Sequence, residues 1–173
     1  FNTPSGKVEL YSDQLEESGL DPSPIYYESP KTPYSDTRLT EEYPLLCTTR
    51  KLDAFRHSGG RQIKSLRKNH PDPVVIINPE TAGKLSINDG DWVYIENKRG
   101  KIKQKASLSP GINPRVIVAD YAWWFPEVGE KELFGWDESN YNILTSDKPP
   151  FNRELGSFNI RGIACKISKV DQS

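Results

Sequence analysis

The residues with most chemistry to offer lie between Arg50 and Lys68, a stretch that carries seven bases and one acid, Asp53. Within it stand Arg50, then His57-Ser58-Gly59-Gly60, then Arg61. Arg50 offers a planar fork of donors, His57 a ring N–H and Ser58 a hydroxyl, while the two glycines let main-chain N–H groups crowd a ligand. Charge-assisted donors and close backbone approach are what a pyrophosphate requires. On charge alone the stretch reads first as a solvated basic loop, or as a face for the acidic N-terminal segment, since residues 1–42 hold nine acids and three bases. Further on, the Asn142 amide carries both a donor and an acceptor, which suits a purine edge, although asparagines there also cap turns. The run Trp123-Trp124-Phe125 could stack a planar ring, but large groups at a strand end more often plug a core or meet another domain. His57 has no nucleophile near it to serve as a general base, and His70 in Asn69-His70-Pro71 reads as a loop residue without a task.

The elements that must position these groups are mostly strands. Tyr43–Thr49 is the first, leading into the basic stretch and a helix over Ile63–Lys68. Val74–Ile77 is an unbroken apolar run suited to burial on both faces. Asn78-Pro79-Glu80 then starts a helix over Pro79–Leu85: Asn78 caps it, Pro79 loses no bond at the first position, Glu80 suits the positive end, and Ala82 and Leu85 face inward. Asn88-Asp89-Gly90-Asp91 turns the chain into a strand over Trp92–Glu96, and Asn97–Gly100 makes a hairpin into Lys101–Leu108. There Ile102, Ala106 and Leu108 share a face while Lys101, Lys103 and Lys105 point to water. Arg115–Ala119 and Ile163–Ile167 complete the strand set. A short helix is expected within Ser12–Ser18, a linker over Asp21–Asp36, an irregular segment or short helix over Gly129–Ser139 and a polar loop over Ser146–Gly156.

Composition bounds the rest. A chain of 173 residues can bury one sizeable core. Its 23 basic and 24 acidic residues give no general affinity for nucleic acid, and no apolar run approaches the ~20 residues that cross a bilayer. Fourteen prolines and twelve glycines favour a β-rich, loop-rich domain. The two cysteines, Cys47 and Cys165, sit in apolar strand-like runs without a CxxC spacing or a nearby histidine, so buried thiols are expected rather than a metal or redox site. A chain that opens on Phe1 reads as a piece of something longer.

Several ordered motifs carry a resemblance. Ile77–Ile102 (INPETAGKLSINDGDWVYIENKRGKI), the Thr3–Leu10 segment TPSGKVEL, Thr49-Arg50 followed by His57-Ser58, Trp123–Glu127, Asn142–Thr145 and Asn159–Gly162 together resemble the C-terminal dinucleotide-binding domain of the molybdopterin oxidoreductases, the dimethyl-sulfoxide-reductase-like superfamily. Thr49, Ser86 and Arg115 stand where that family usually has glycine.

The resemblance implies a mainly β domain with short helices: a six-stranded double-psi β-barrel over residues 43–170, with an extended arm (1–42) from an upstream catalytic body and a tail (171–173). It implies a molybdopterin guanine dinucleotide, usually in the bis form, holding molybdenum or tungsten through dithiolene sulfurs. Pyrophosphate would lie on Thr49, Arg50, His57 and Ser58, and guanine and ribose near Asn78, Glu80 and Asn142. A Glu80 carboxylate could accept two N–H bonds from a guanine edge. Asn159 and Arg161 would touch pterin or phosphate.

No catalytic residue or metal ligand is expected here. The substrate pocket and any iron–sulfur cluster would belong to the rest of the parent, and the fragment alone would be inactive. Partners would be the upstream domains of the same polypeptide and an electron-transfer subunit, with no nucleic acid or membrane contact, in cytoplasm or periplasm. The competing reading is a stand-alone double-psi barrel that binds proteins or peptides and has no reason to gather Thr49, Arg50, His57, Ser58 and Asn142 in one cleft.

Overall fold

The computed structural model describes residues 1–23, 25–26, 36–148 and 156–171. Most of the expected linker, part of the Ser146–Gly156 loop and most of the 171–173 tail therefore fall outside the described residues. Six strands, β1 (Leu45–Arg50), β2 (Val74–Ile77), β3 (Trp92–Glu96), β4 (Lys101–Leu108), β5 (Val116–Asp120) and β6 (Ile163–Lys169), close into a barrel in the order β1-β5-β2-β4-β3-β6. Two neighbouring pairs are parallel, β1 with β5 and β2 with β4, and the other four are antiparallel. This is the six-stranded double-psi β-barrel that the motifs implied.

Among the described residues five short helices accompany it: α1 (Asp13–Glu17), α2 (Thr37–Glu42), α3 (Lys64–Arg67), α4 (Pro79–Lys84) and α5 (Trp136–Ser139), with 3-10 turns at Leu133–Gly135 and Tyr141–Leu144. Ser12 caps α1 and Asn78 caps α4 through their side chains. α2 lies where only linker and arm were expected. Its cap, Asp36, accepts from the Arg38 N–H at 3.1 Å, a signal that the sequence did display.

The core follows strand alternation. Leu45, Cys47, Val75, Ile77, Val93, Ile95, Ile102, Ala106, Ile117, Ala119, Cys165 and Ile167 point inward. β2 is not buried on both faces as its apolar run suggested: Val75 and Ile77 are inside, whereas Val74 and Ile76 are half-exposed. In α4 the inward residues are Thr81 and Ala82, while Leu85 is 40% exposed. The short helix ends before Leu85 can turn inward, and Ile87 fills the core instead. Ser86, at φ 55°, occupies the left-handed region that explains the family's glycine there. Both thiols are buried and free, and burial pushes the Cys165 thiol up.

Register defines two ends of the barrel. At the upper mouth β1, β5 and β3 finish and β2, β4 and β6 begin; at the lower end the reverse holds. The turn Tyr141–Leu144 is stitched into the upper mouth. Tyr141 is fully buried and its hydroxyl donates to the Cys47 carbonyl at 3.2 Å, while Asn97 Nδ2 donates to the Leu144 carbonyl at 2.8 Å. Gly100, in the β3–β4 hairpin, lies so close that a Cβ built on it would meet Ile143 Cγ2 at 2.6 Å. Gly100→Ala is accordingly expected to displace this turn and to destabilise the domain by about 1–3 kcal/mol. Urea unfolding checks it; an unchanged midpoint would show that Ile143 swings aside without cost.

Candidate functional site

The upper mouth is built on Asp120, the last residue of β5. It is completely buried yet ionisable, so it must be paired. Parallel pairing sets Arg50 opposite Asp120, and Arg50 Nε donates to Oδ1 at 2.8 Å. Oδ2 takes the main-chain N–H of Val74 at 2.8 Å and meets His70 Nε2 at 2.5 Å. The Asp120 main chain is held as well, because Gln104, buried inside the barrel, accepts from its N–H at 3.0 Å and donates to its carbonyl at 3.1 Å. One carboxylate thus ties together the ends of β1 and β5, the start of β2 and the loop before it. Since Arg50 is bound through Nε, its two terminal amino groups lie beyond that bond, on a side chain that is 32% exposed.

The next layer is the loop after β1. Phe55 is buried against Trp123, with ring centroids 5.8 Å apart. An isolated bridge joins Arg56 to Gly59, leaving His57 and Ser58 at the tip. His57 has φ 51°, a left-handed conformation that histidine tolerates better than most side chains. Both tip residues are exposed, and their main-chain N–H groups donate to no described residue. The Ser58 carbonyl is taken by Trp124 Nε1 at 2.6 Å, which pins the loop from one side.

Arg61 is not the additional surface cation that its place in the basic stretch suggested. It is 2% exposed, with its guanidinium between Phe55 (4.4 Å to the ring centroid) and Trp123 (5.2 Å). Burial brings its pKa down to about 10, with repulsion from Arg67 adding to the fall and attraction from Asp120 opposing it; it is still a cation at neutral pH. Trp123 is itself fully buried among Phe55, His70, Phe125, Arg61 and Arg67, so this one ring of the aromatic run serves as a core plug, while Trp124 and Phe125 are half-buried.

The structure gathers part of the anticipated set and separates the rest. Thr49, Arg50, His57 and Ser58 stand at or beside the upper mouth. Asn142 belongs to the turn stitched into it and is exposed, with its own N–H held by Asn140 Oδ1 at 3.0 Å. Arg161 lies two residues before β6 begins at the same mouth, in a turn where Asn159 Oδ1 accepts its N–H at 3.0 Å. Asn78 and Glu80 are not gathered with them, because they follow the far end of β2 and so sit at the lower end of the barrel. The Asn78 amide is spent on structure: Oδ1 accepts from the Glu80 N–H at 2.9 Å and Nδ2 donates to the Ile112 carbonyl at 2.7 Å. Glu80 pairs with Lys84 at 2.8 Å, one helical turn away. His70 and Asp120, neither given a role from sequence, prove central to the mouth. The signal for Asp120 was an acid ending an apolar strand, but its partner lies 70 residues away.

The donor set fits a phosphate-bearing ligand. Arg50 amino groups, a histidine ring, a hydroxyl, free tip N–H groups and a second arginine share one mouth, and the carboxylate bonded to Arg50 is wholly consumed by its own partners. Among the described residues no group of three or more His, Cys, Asp or Glu is arranged to hold a metal ion, and no helix is long and apolar enough to cross a membrane.

Comparison with known proteins identifies the family. Residues 45–153 match the molydopterin dinucleotide binding domain family. The chain is 38% identical over 173 residues to the dopamine dehydroxylase of Eggerthella lenta, covering 97% of this chain and 17% of that protein. It is 32% identical over 163 residues to the dimethyl sulfoxide reductase DmsA of Escherichia coli, covering 86% of this chain and 19% of that one. Among solved structures, acetylene hydratase from Pelobacter acetylenicus superposes with a TM-score of 0.86 at 34% identity, over 97% of this chain and 24% of that one. The chain thus spans between about a sixth and a quarter of the length of these relatives.

Proposed function

This chain belongs to the molydopterin dinucleotide binding domain family of the molybdenum and tungsten oxidoreductases, and from that premise we propose that its upper mouth holds the guanine dinucleotide end of the cofactor. Arg50 carries the proposal: its Nε is fixed by a buried carboxylate at 2.8 Å, which aims the rest of the guanidinium outward. The terminal amino groups would grip the pyrophosphate, assisted by the His57 ring, the Ser58 hydroxyl and the tip N–H groups, with Thr49 at the strand end. Asn142 would read the purine edge, and Asn159 and Arg161 would close the mouth from the β6 side. Asn78 and Glu80 have no part in it.

When bound, the cofactor supplies redox chemistry at a molybdenum or tungsten ion held by its dithiolene sulfurs. The residues of this chain bind and orient. Metal ligand, substrate pocket and any iron–sulfur cluster belong to other domains of the parent polypeptide, and residues 1–42 form the arm leading from that body into the 43–170 barrel. A bis-cofactor form and a separate electron-transfer subunit are part of this reading. The isolated domain would turn nothing over.

The test is cofactor retention by the intact parent. Arg50→Ala combined with Asn142→Ala is expected to reduce the guanine nucleotide released from the purified, acid-treated protein at least about tenfold, the loss of a single charge-assisted contact being worth about that much. Full retention in the double variant would refute the site. Against the peptide-binding alternative stands the gathering of phosphate-type donors at a single mouth, for which such a module has no use.

A further inference from the structure

Arg61 is a buried arginine with no carboxylate in contact with it among the described residues. Its guanidinium is almost wholly buried, and no salt bridge pairs it with a carboxylate among the described residues. What it has are carbonyl oxygens: those of His57 and Gly59, the latter at 3.2 Å, and that of Tyr121 at 3.0 Å, with aromatic faces beside it. Its Nε has no hydrogen-bond partner among the described residues. A buried cation is costly, and the carboxylate that attracts this one, Asp120, is itself bonded to Arg50 and His70.

The two loop carbonyls explain what that arrangement produces. His57 and Gly59 flank Ser58, and both turn their carbonyl oxygens inward onto one guanidinium. A peptide plane with its oxygen inward points the adjoining N–H outward. The N–H groups that share those two planes are those of Ser58 and Gly60, and neither donates to a described residue, whereas the Gly59 N–H between them is held by the Arg56 carbonyl at 2.8 Å. Left-handed backbone at His57 (φ 51°) and Gly60 (φ 95°) bends the loop at both places, and outward main-chain N–H groups of this kind are donors to anions. Beneath it sits a charge screened from water.

We propose that Arg61 is a positioning residue that shapes the 57–60 loop into an anion-binding surface from behind by turning the Ser58 and Gly60 N–H groups outward, and that phosphate on the opposite face of that loop adds to the attraction its buried cation receives from Asp120. This rests on the phosphate reading of the upper mouth. Arg61 never touches the ligand. Lysine keeps the charge but cannot hold separate carbonyls in a plane, so the two contributions can be distinguished.

The test is an NMR titration of the 173-residue chain with inorganic pyrophosphate at fixed ionic strength, in the wild type, Arg61→Lys and Arg50→Ala. In the wild type the amides of His57 to Gly60 and the Arg61 Nε–H should shift saturably with a common midpoint. Arg61→Lys should keep a dispersed spectrum and raise that midpoint at least about tenfold. A residue that merely supported the fold would lower thermal stability without moving the midpoint. If Arg61→Lys titrates like the wild type while Arg50→Ala does not, the inference is overturned and the phosphate site stands. If the wild type shows no saturable shift, the phosphate reading falls and takes the inference with it. Should Arg61→Lys fail to fold, the wild type decides: an Arg61 Nε–H that stays put while the Ser58 and Gly60 amides move overturns the proposal.

Discussion

Asp120→Ala is expected to destabilise the domain by about 3–5 kcal/mol, the range for removing one partner of a buried ion pair. The reason is what the carboxylate leaves behind. The Val74 N–H and the Arg50 Nε lose their acceptor in a place that water reaches poorly, and His70 loses the group that fixes its ring. Asp120→Asn separates the contributions, because an amide oxygen can still accept one of these bonds while the charge is gone. It should fall between wild type and Ala in urea-monitored unfolding. The alanine variant should also lose its hold on the orientation of Arg50, so cofactor retention by the parent should fall even where the protein remains folded. A stability change below about 1 kcal/mol, the scale of an exposed pair, would mean that the mouth does not depend on this residue.

Trp123→Ala should cost a similar amount, about 3–5 kcal/mol, as expected for emptying a large aromatic site in a packed interior. Trp123 touches both halves of the site: its face lies against Arg61 and Arg67, its edge contacts involve Phe55 and His70, and its carbonyl accepts from Asn140 Nδ2 at 3.2 Å beside the Asn142 turn. Near-UV circular dichroism together with urea unfolding checks the expectation. A mild effect on stability accompanied by a large loss of cofactor would return the ring to the stacking role considered from sequence.

The regular part of the barrel was legible because its signals are local. β3 and β4 run over the residues that alternation and the Asn97–Gly100 hairpin indicated, and Asn78 caps α4 as its type demands. What escaped was long-range or depended on where a short helix stops. Nothing near Asp120 in sequence announces Arg50, since only the parallel pairing of β1 with β5 brings them face to face. His70 looked idle for the same reason. Arg61 was misjudged because a basic stretch is usually solvated, whereas here two aromatic rings and a set of carbonyls draw one member inward. Asn78 and Glu80 stand apart from the mouth for a different reason. The motif around them was the most recognisable in the chain, but it is scaffold, and the topology sends it to the end of the barrel away from the mouth.

The strand order also sets a timetable for synthesis. β1 is the first barrel strand made, yet its two neighbours, β5 and β6, are the last. Until Asp120 has been added, Arg50 lacks its anchor; until β6 arrives, β1 and β3 each keep a bare edge open to unwanted pairing. Such non-local closure is slow. The mouth is therefore complete only after the last strand has been made, and on the proposed reading a dinucleotide would meet a finished barrel rather than the growing chain.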